Sequence, residues 1–403
     1  MAPAPAPALL VETTVQPSDI AASLERLDEF TERYRRQAAR VEQERHMAVY
    51  LRGLVSNVER KSMEPIAVSQ GVERRRVQHF VGAGIWFDDD VRVTMWGHVA
   101  KEIGSPQGAL IVDGSGFPKS GEDSVGVARQ YCGRLGKVDN CQVGVFIAYA
   151  SRGSCALLDA QPFLPGEWID DNSRRAAVYI PSSIAYRKHW EIALDLIIRV
   201  TPHVPYAWIL GDDEFGRPTE FRDALAKRLE GGPARYLLEV PCNTNVRRPA
   251  NAAGRARKWR TVERRKKERP HDTWRRYKIA DGEKGPIEVF AFSTRVETQR
   301  RDTEGRALPP VEEVLLVMHN IRNTKTWYFL APKGTPTNTK RLVAAASLRH
   351  DIEEVFEAAK GEAGLDHYEL RSWTGWHHHI TLSMLALWFL VLERRRFQKK
   401  LRR

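Results

Sequence analysis

Over the first hundred residues apolar positions recur at the three-to-four spacing of a helix; after Ala109 they change to short unbroken runs separated by Gly, Pro and Asp. Ser18 is placed to cap a helix carrying Ile20, Leu24, Leu27, Phe30 and Tyr34, and the spacing continues through Val49, Leu51, Leu54 and Val58. Val68-Ser-Gln-Gly-Val72 followed by Arg74, Arg75 and Arg76 reads either as a turn into a helix that meets DNA or as part of a plain helical bundle. The later runs predict strands at Ala109–Val112, Cys141–Ala150 and Cys155–Phe163, and a helix at Ser182–Val200. A strand at Tyr206–Leu210, a helix at Thr219–Leu229 and a strand at Tyr236–Val240 follow.

Three strands, helix, strand, helix, strand is the order of an RNase H-like core, a mixed five-stranded α/β sheet with flanking helices. Strand-like Ile287–Thr294, Val314–Met318 and Trp327–Leu330 then predict a β-rich insertion, before a helix around Arg341–Lys360 and a last helix, Ile380–Leu392, with a basic tail from Arg394 to Arg403. The expected division is a disordered start (1–15), a helical DNA-binding domain (16–105), and the first part of the catalytic core (106–242). A basic, β-rich insertion (243–338) and the C-terminal helices and tail of the core (339–403) complete it.

Charge sharpens this division. The chain of 403 residues carries a net +12, and between Arg247 and Lys278 fourteen Lys/Arg face only Glu263, Glu268 and Asp272, so one segment holds +11 of it. Trp259, Trp274 and Tyr277 are interleaved there, and aromatic faces beside cations suit phosphates and unstacked bases. The Ala/Pro segment Met1–Ala8 lacks the basic start and apolar core of a signal peptide, and Ile380–Leu392 is too short to span a bilayer, which points to a cytoplasmic protein with no membrane role. Cys132, Cys141, Cys155 and Cys242 form no zinc-spaced set and are expected to be reduced packing residues.

A strand that ends in an acid sets its carboxylate at a sheet edge, with room for a metal ion and a phosphate. Asp113 after Ala109–Val112 and Asp212 after Trp208–Gly211 both have this setting, although each alone also fits a turn or helix cap. Spacing leaves Asp212 and Asp213 both open, with the Gly211 before it favouring Asp212. Arg349, Glu353 and Lys360 share one helix face, offering either a carboxylate to metal and two cations to phosphate or an ordinary ion-paired surface. The glycines from Gly114 to Gly121 would let a loop pass close to phosphate beside Lys119, but the spacing is not that of a Walker loop. His377, His378 and His379 in a row cannot all face one metal from a helix, so packing or phosphate contact is expected.

Longer stretches carry a resemblance: Asp113-Gly-Ser-Gly-Phe-Pro-Lys-Ser-Gly121, Ser124-Val-Gly-Val-Ala-Arg-Gln-Tyr-Cys-Gly-Arg-Leu-Gly-Lys-Val138, Asn140-Cys-Gln-Val143, Gly364-Leu-Asp-His-Tyr-Glu369 and Trp373-x-Gly-Trp-His-His-His379. Together they resemble bacterial insertion-sequence transposases of the DDE superfamily endonuclease type. The resemblance implies an acidic triad of Asp113, Asp212 and Glu353 holding two Mg²⁺ ions, with Mn²⁺ able to substitute. It places Lys119, Arg349 and Lys360 on phosphates, and puts Ala346 where the family's last-helix signature has a tyrosine. Asp213-Glu-Phe-Gly216 likewise stands where small residues and a tyrosine are usual. Trp259, Trp274 and the basic residues Arg257, Lys258, Arg264, Arg265, Lys266, Lys267, Arg275 and Arg276 become candidates for gripping element-end DNA or a flipped base. The implied partners are double-stranded DNA, as terminal inverted repeats and target, and a second copy of the chain on paired ends in the nucleoid. A domesticated, non-catalytic DNA-binding regulator and a structure-specific RNase H-like nuclease are the alternatives.

Overall fold

The computed structural model describes residues 17–401 except 39, 152, 251–256, 283–284 and 302–303. The segment 1–15 expected to be disordered, six residues of the basic block and the last two of the tail lie outside the described residues.

Helices α1 (Pro17–Glu32), α2 (Val41–Val55), α3 (Met63–Ser69), α4 (Arg74–Gly82) and α5 (Asp88–Ile103) come first. Most of the expected three-to-four stripe is what they bury: Leu27 and Phe30 of α1, Tyr34 just past its end, and Tyr50, Leu51 and Leu54 of α2 are sealed from solvent, whereas Leu24 is exposed. Next follow β1 (Ala109–Pro118), β2 (Ala128–Cys132), β3 (Lys137–Ser151), β4 (Ser154–Pro162), α6 (Gly166–Asp170), α7 (Asn172–Ala177) and α8 (His189–Val200). The chain then runs through β5 (Trp208–Gly211), α9 (Asp213–Gly216), α10 (Thr219–Arg228) and β6 (Arg235–Glu239).

In this part β3 lies antiparallel to β1 on one side and to β4 on the other, while β5 runs parallel to β1 and β6 parallel to β5. The strands are apolar almost throughout because helices cover them: α8 packs on β1, β3 and β4, and α13 (His350–Gly361) packs on β3 and β4. The segment expected as an insertion supplies β7 (Asn245–Arg247), β8 (Arg260–Thr261), α11 (Val262–Lys267), β9 (Arg275–Gly282), β10 (Gly285–Arg301), β11 (Ala307–Asn320) and β12 (Thr326–Pro332). These strands extend the same sheet, since β12 pairs antiparallel with β6 through Phe329 opposite Glu239 and Leu330 opposite Leu238.

A buried ionic knot fixes that junction. Glu313 of β11 is fully buried and accepts from Arg222 Nε of α10 at 3.2 Å, Arg300 Nη2 of β10 at 3.2 Å and the Tyr236 hydroxyl of β6 at 2.7 Å. A second knot, in which Arg92 of α5 binds Asp159 of β4 at 3.1 Å and Thr381 at 2.6 Å, pins the helical layer to the sheet.

Three expectations need correction. Arg341–Lys360 is two helices, α12 (Thr339–Ser347) and α13, broken at Leu348 and Arg349. The last helix, α14 (Trp373–Leu401), starts earlier and runs through the basic tail. Cys132, Cys141 and Cys155 are buried free thiols, but Cys242 is exposed. Among the described residues no helix is long and apolar enough to cross a membrane.

The three histidines at the head of α14 are buried packing groups. His379 Nδ1 lies 2.9 Å from the Tyr50 hydroxyl, His378 stacks on Trp86 at 4.0 Å, and His377 sits against Trp373 and Trp376.

Candidate active site

Register brings the acids together. Val112 of β1 pairs with Gly211 of β5, and Gly211 pairs with Leu238 of β6; the next residue in each strand is Asp113, Asp212 and Glu239. In parallel strands residues at one level face one side, so three carboxylates stand in a row where the parallel pairing stops. Strand β1 does not end at Asp113 as expected: it continues to Pro118 on the β3 side, with Asp113 opposite Phe146, so the first half of the glycine segment is strand rather than loop.

Glu239 was not singled out by the sequence. Its signal was present, a lone acid inside the apolar run Tyr236–Val240, but what makes it a site residue is its place beside Asp212 across two strands. Close packing sets the spacing: a methyl group on Gly211 would lie 3.1 Å from Val112, Leu238 and Phe215 side chains alike. Asp212 also caps α9, accepting from the Glu214 amide at 3.0 Å and the Phe215 amide at 3.4 Å.

The row is poor in compensating charge. Burial pushes the Asp113 carboxyl up to about 7, with the neighbouring Asp212 adding to the shift and Arg349 opposing it. Burial likewise raises Asp212 and Glu239, each again opposed by Arg349. Arg349 starts α13 and hangs over the row: its guanidinium lies 3.9 Å from Asp212 Oδ2 and 3.1 Å from Glu353 Oε1. Burial works against its charge, but Asp113, Asp212, Glu239 and Glu353 together outweigh that and push its pKa up.

Glu353 reaches the row only through Arg349. Its side chain is 53% exposed and is shared between Arg349 and His350 Nδ1, the latter at 3.3 Å. Among the described residues no three His, Cys, Asp or Glu side chains are arranged to hold one metal ion. Asp113 and Asp212 are brought together, and Glu353 stands off behind an arginine. Asp213 turns away to pair with Arg217 at 3.0 Å, which leaves Asp212 as the acid in the row.

The cations expected on phosphate are partly engaged. Lys119 Nζ donates to the Tyr368 carbonyl at 3.0 Å and lies 3.5 Å over that residue's ring; burial lowers its pKa to about 8. Lys360 sits 5.8 Å over the Phe117 ring, within electrostatic reach of Asp113, and burial lowers its pKa too.

The basic block is carried by α11 and the adjoining strands. Arg264 and Arg265 pair with Glu268, Lys267 with Glu263, Arg276 with Glu288, and Lys266 donates to Asn323 and Thr326. Trp259 stacks under Arg247 at 4.7 Å, and Trp274 packs on Phe292 and His319 at 4.7 and 4.6 Å. Arg257, Lys258 and Arg275 are exposed.

Known proteins are similar in sequence to this chain. A probable transposase for insertion sequence element IS701 from Microchaete diplosiphon is 21% identical over 360 residues, covering 88% of this chain and 84% of that protein. Among solved structures, the NurA nuclease from Sulfolobus solfataricus matches 61% of this chain and 74% of its own at 11% identity, with a TM-score of 0.28, too slight a likeness to bear on the fold. The family profile described as DDE superfamily endonuclease matches residues 28–296, a span that holds Asp113, Asp212 and Glu239 and stops short of Glu353. With two thirds of its length inside that match, the chain belongs to the DDE superfamily endonucleases.

Proposed function

We propose that this protein is the transposase of an insertion sequence, cutting DNA at element ends and joining those ends to a target. The observation that carries the reading is the row of desolvated carboxylates, Asp113 beside Asp212, placed by strand register under the guanidinium of Arg349. The strand order β4-β3-β1-β5-β6, with β5 and β6 parallel to β1, supports an RNase H-like core. The similarity to a probable insertion-sequence transposase over most of the chain supports the same conclusion.

Two half-buried hard oxygen donors that repel each other are a fitting seat for divalent cations, so Asp113 and Asp212 would hold Mg²⁺ or Mn²⁺. Glu353 would join them as third ligand once it gives up Arg349 and His350. When bound, a metal pair supplies charge stabilisation for in-line displacement at a phosphodiester. The chain's own groups do the rest. Arg349, freed from Glu353, and Lys360 would grip non-bridging phosphate oxygens, and the packed sheet end would hold the scissile bond in place. Arg257, Lys258 and the α11 basic residues would carry flanking duplex, as terminal repeats or target. We place the protein in the cytoplasm on the nucleoid, acting as a homodimer on paired ends.

The test is cleavage and joining of a labelled duplex carrying the element's own ends, with Mg²⁺ or Mn²⁺, by the wild type, Asp212→Asn and Glu353→Gln. Cleavage should fall on the order of 10³-fold or more in both variants, while binding changes by no more than about twofold because phosphate contacts, not metal ligands, dominate affinity. Tight binding with no cleavage in any of the three, wild type included, would leave a DNA-binding regulator. Cleavage without joining would leave a nuclease.

A further inference from the structure

The β2–β3 hairpin takes no part in the chemistry above, yet its outer face is built unlike an ordinary sheet edge. β2 is the end strand, and across the hairpin Tyr131 pairs with Val138 and Arg129 with Asn140, so these four share one face. Tyr131 is 64% exposed, Val138 55%, and Leu135 at the turn 42%. The opposite face is anchored: Cys132 and Cys141 pack with Val143 and Phe163, and Gln130 donates to the Cys141 carbonyl at 2.9 Å. The turn closes through Gly136 at φ +64°; along it Arg134 pairs with Asp366 and Lys137 with Asp139 at 2.9 Å, and Arg129 stands exposed on the Tyr131 face.

The hairpin also curls back onto the catalytic strand. A methyl group on Gly116, three residues past Asp113, would meet Cys132 Sγ at 2.9 Å, so β2 lies directly against β1 there. Lys360 is within electrostatic reach of Asp113 and of Arg134 and Cys132 of the hairpin. An exposed apolar pair on a terminal strand is an invitation to association. The exposed Arg129 on the Tyr131 face and the hairpin's place against the catalytic strand select what covers it, since an aromatic face beside a cation matches a base beside a phosphate.

We propose that the outer face of this hairpin grips the DNA strand leaving the carboxylate row, with Tyr131 stacking on an unpaired base and Arg129 on a neighbouring phosphate. The proposal rests on the transposase reading above.

The experiment measures binding of the full chain to a labelled blunt duplex and to the same duplex ending in two single-stranded arms. Tyr131→Ala should weaken binding to the armed duplex by about 5- to 150-fold, the range for loss of one stacked base, and leave the blunt duplex near wild type. Tyr131→Trp should restore it, and Arg129→Gln should lower the salt slope by about one. Because both side chains project from the folded surface, unchanged thermal melts will show that the variants fold. Wild-type binding to the armed duplex that survives both Tyr131→Ala and Arg129→Gln would overturn the proposal and leave the transposase reading standing. Unaltered DNA affinity with a dimer turned monomer by light scattering would also overturn it and assign the face to a second copy. Failure of the wild type to bind either DNA would sink both readings together.

Discussion

Glu313→Ala is the most demanding test of how the sheet is held together. The carboxylate is wholly buried, and Arg222, itself 2% exposed, gives it its Nε at 3.2 Å. Burial alone would raise the Glu313 pKa, but Arg222 and Arg300 outweigh it and hold the group below its ordinary value, so it is charged at pH 7. Removing it leaves the two arginines differently placed. Arg300 keeps Asp223 at 3.0 Å, whereas Arg222 keeps only the Gly216 and Arg217 carbonyls. Breaking a buried pair from one side costs roughly 3–5 kcal/mol, and the contacts that survive place this case near the lower end, ~3 kcal/mol. For a chain of 403 residues that is a fall in Tm of about 3–4 °C. The assay is calorimetry at pH 7 with a companion triple variant, Glu313→Leu with Arg222→Met and Arg300→Met, which removes all three charges and should recover most of the loss. A Tm for Glu313→Ala within about 1 °C of wild type, or a triple variant no better than the single, would refute the reasoning.

Two further outcomes follow from the packing. At Gly216 a methyl group would sit 1.7 Å from the Glu239 carbonyl oxygen, so Gly216→Ala must push α9 off β6 and shift Asp212 and Glu239 apart; cleavage should drop at least tenfold with DNA binding retained, and a fully active variant would show that α9 does not set the row. Acid should unfold the protein through its buried histidines: burial lowers His377 and His379 to about 3 and His98 to about 4, against about 6.5 when unfolded. Folded values that are depressed give stability that is complete above pH ~6.5 and lost as pH falls towards 4, at about 4 kcal/mol per pH unit for three rings. Urea melts from pH 7.5 to 5 will show this slope, and His379→Gln should flatten it by about a third; a slope unchanged in that variant would mean the ring is already charged in the fold.

Helices before Ala109, buried strands after it and the two acids that break apolar runs were legible, although Asp113 lies within β1 rather than at its end, because each rests on short-range pattern: apolar period, turn residues and a charge that interrupts a hydrophobic run. The family was legible too, since its motifs are long runs of neighbouring residues. What the sequence could not supply is register. Glu239 joins Asp113 and Asp212 only because Leu238, Gly211 and Val112 are level across three strands, a fact of hydrogen bonding between segments far apart in the chain. The same holds for Arg349. Sequence places it four residues before Glu353, but only the fold brings its guanidinium over Asp212, where desolvated carboxylates need a cation. Nor could local pattern reveal that the strands of the basic segment continue the core sheet, or that Glu313 sits between Arg222 and Arg300. Pairing partners and buried charge are chosen by what the rest of the chain leaves unsatisfied, and that is decided in three dimensions.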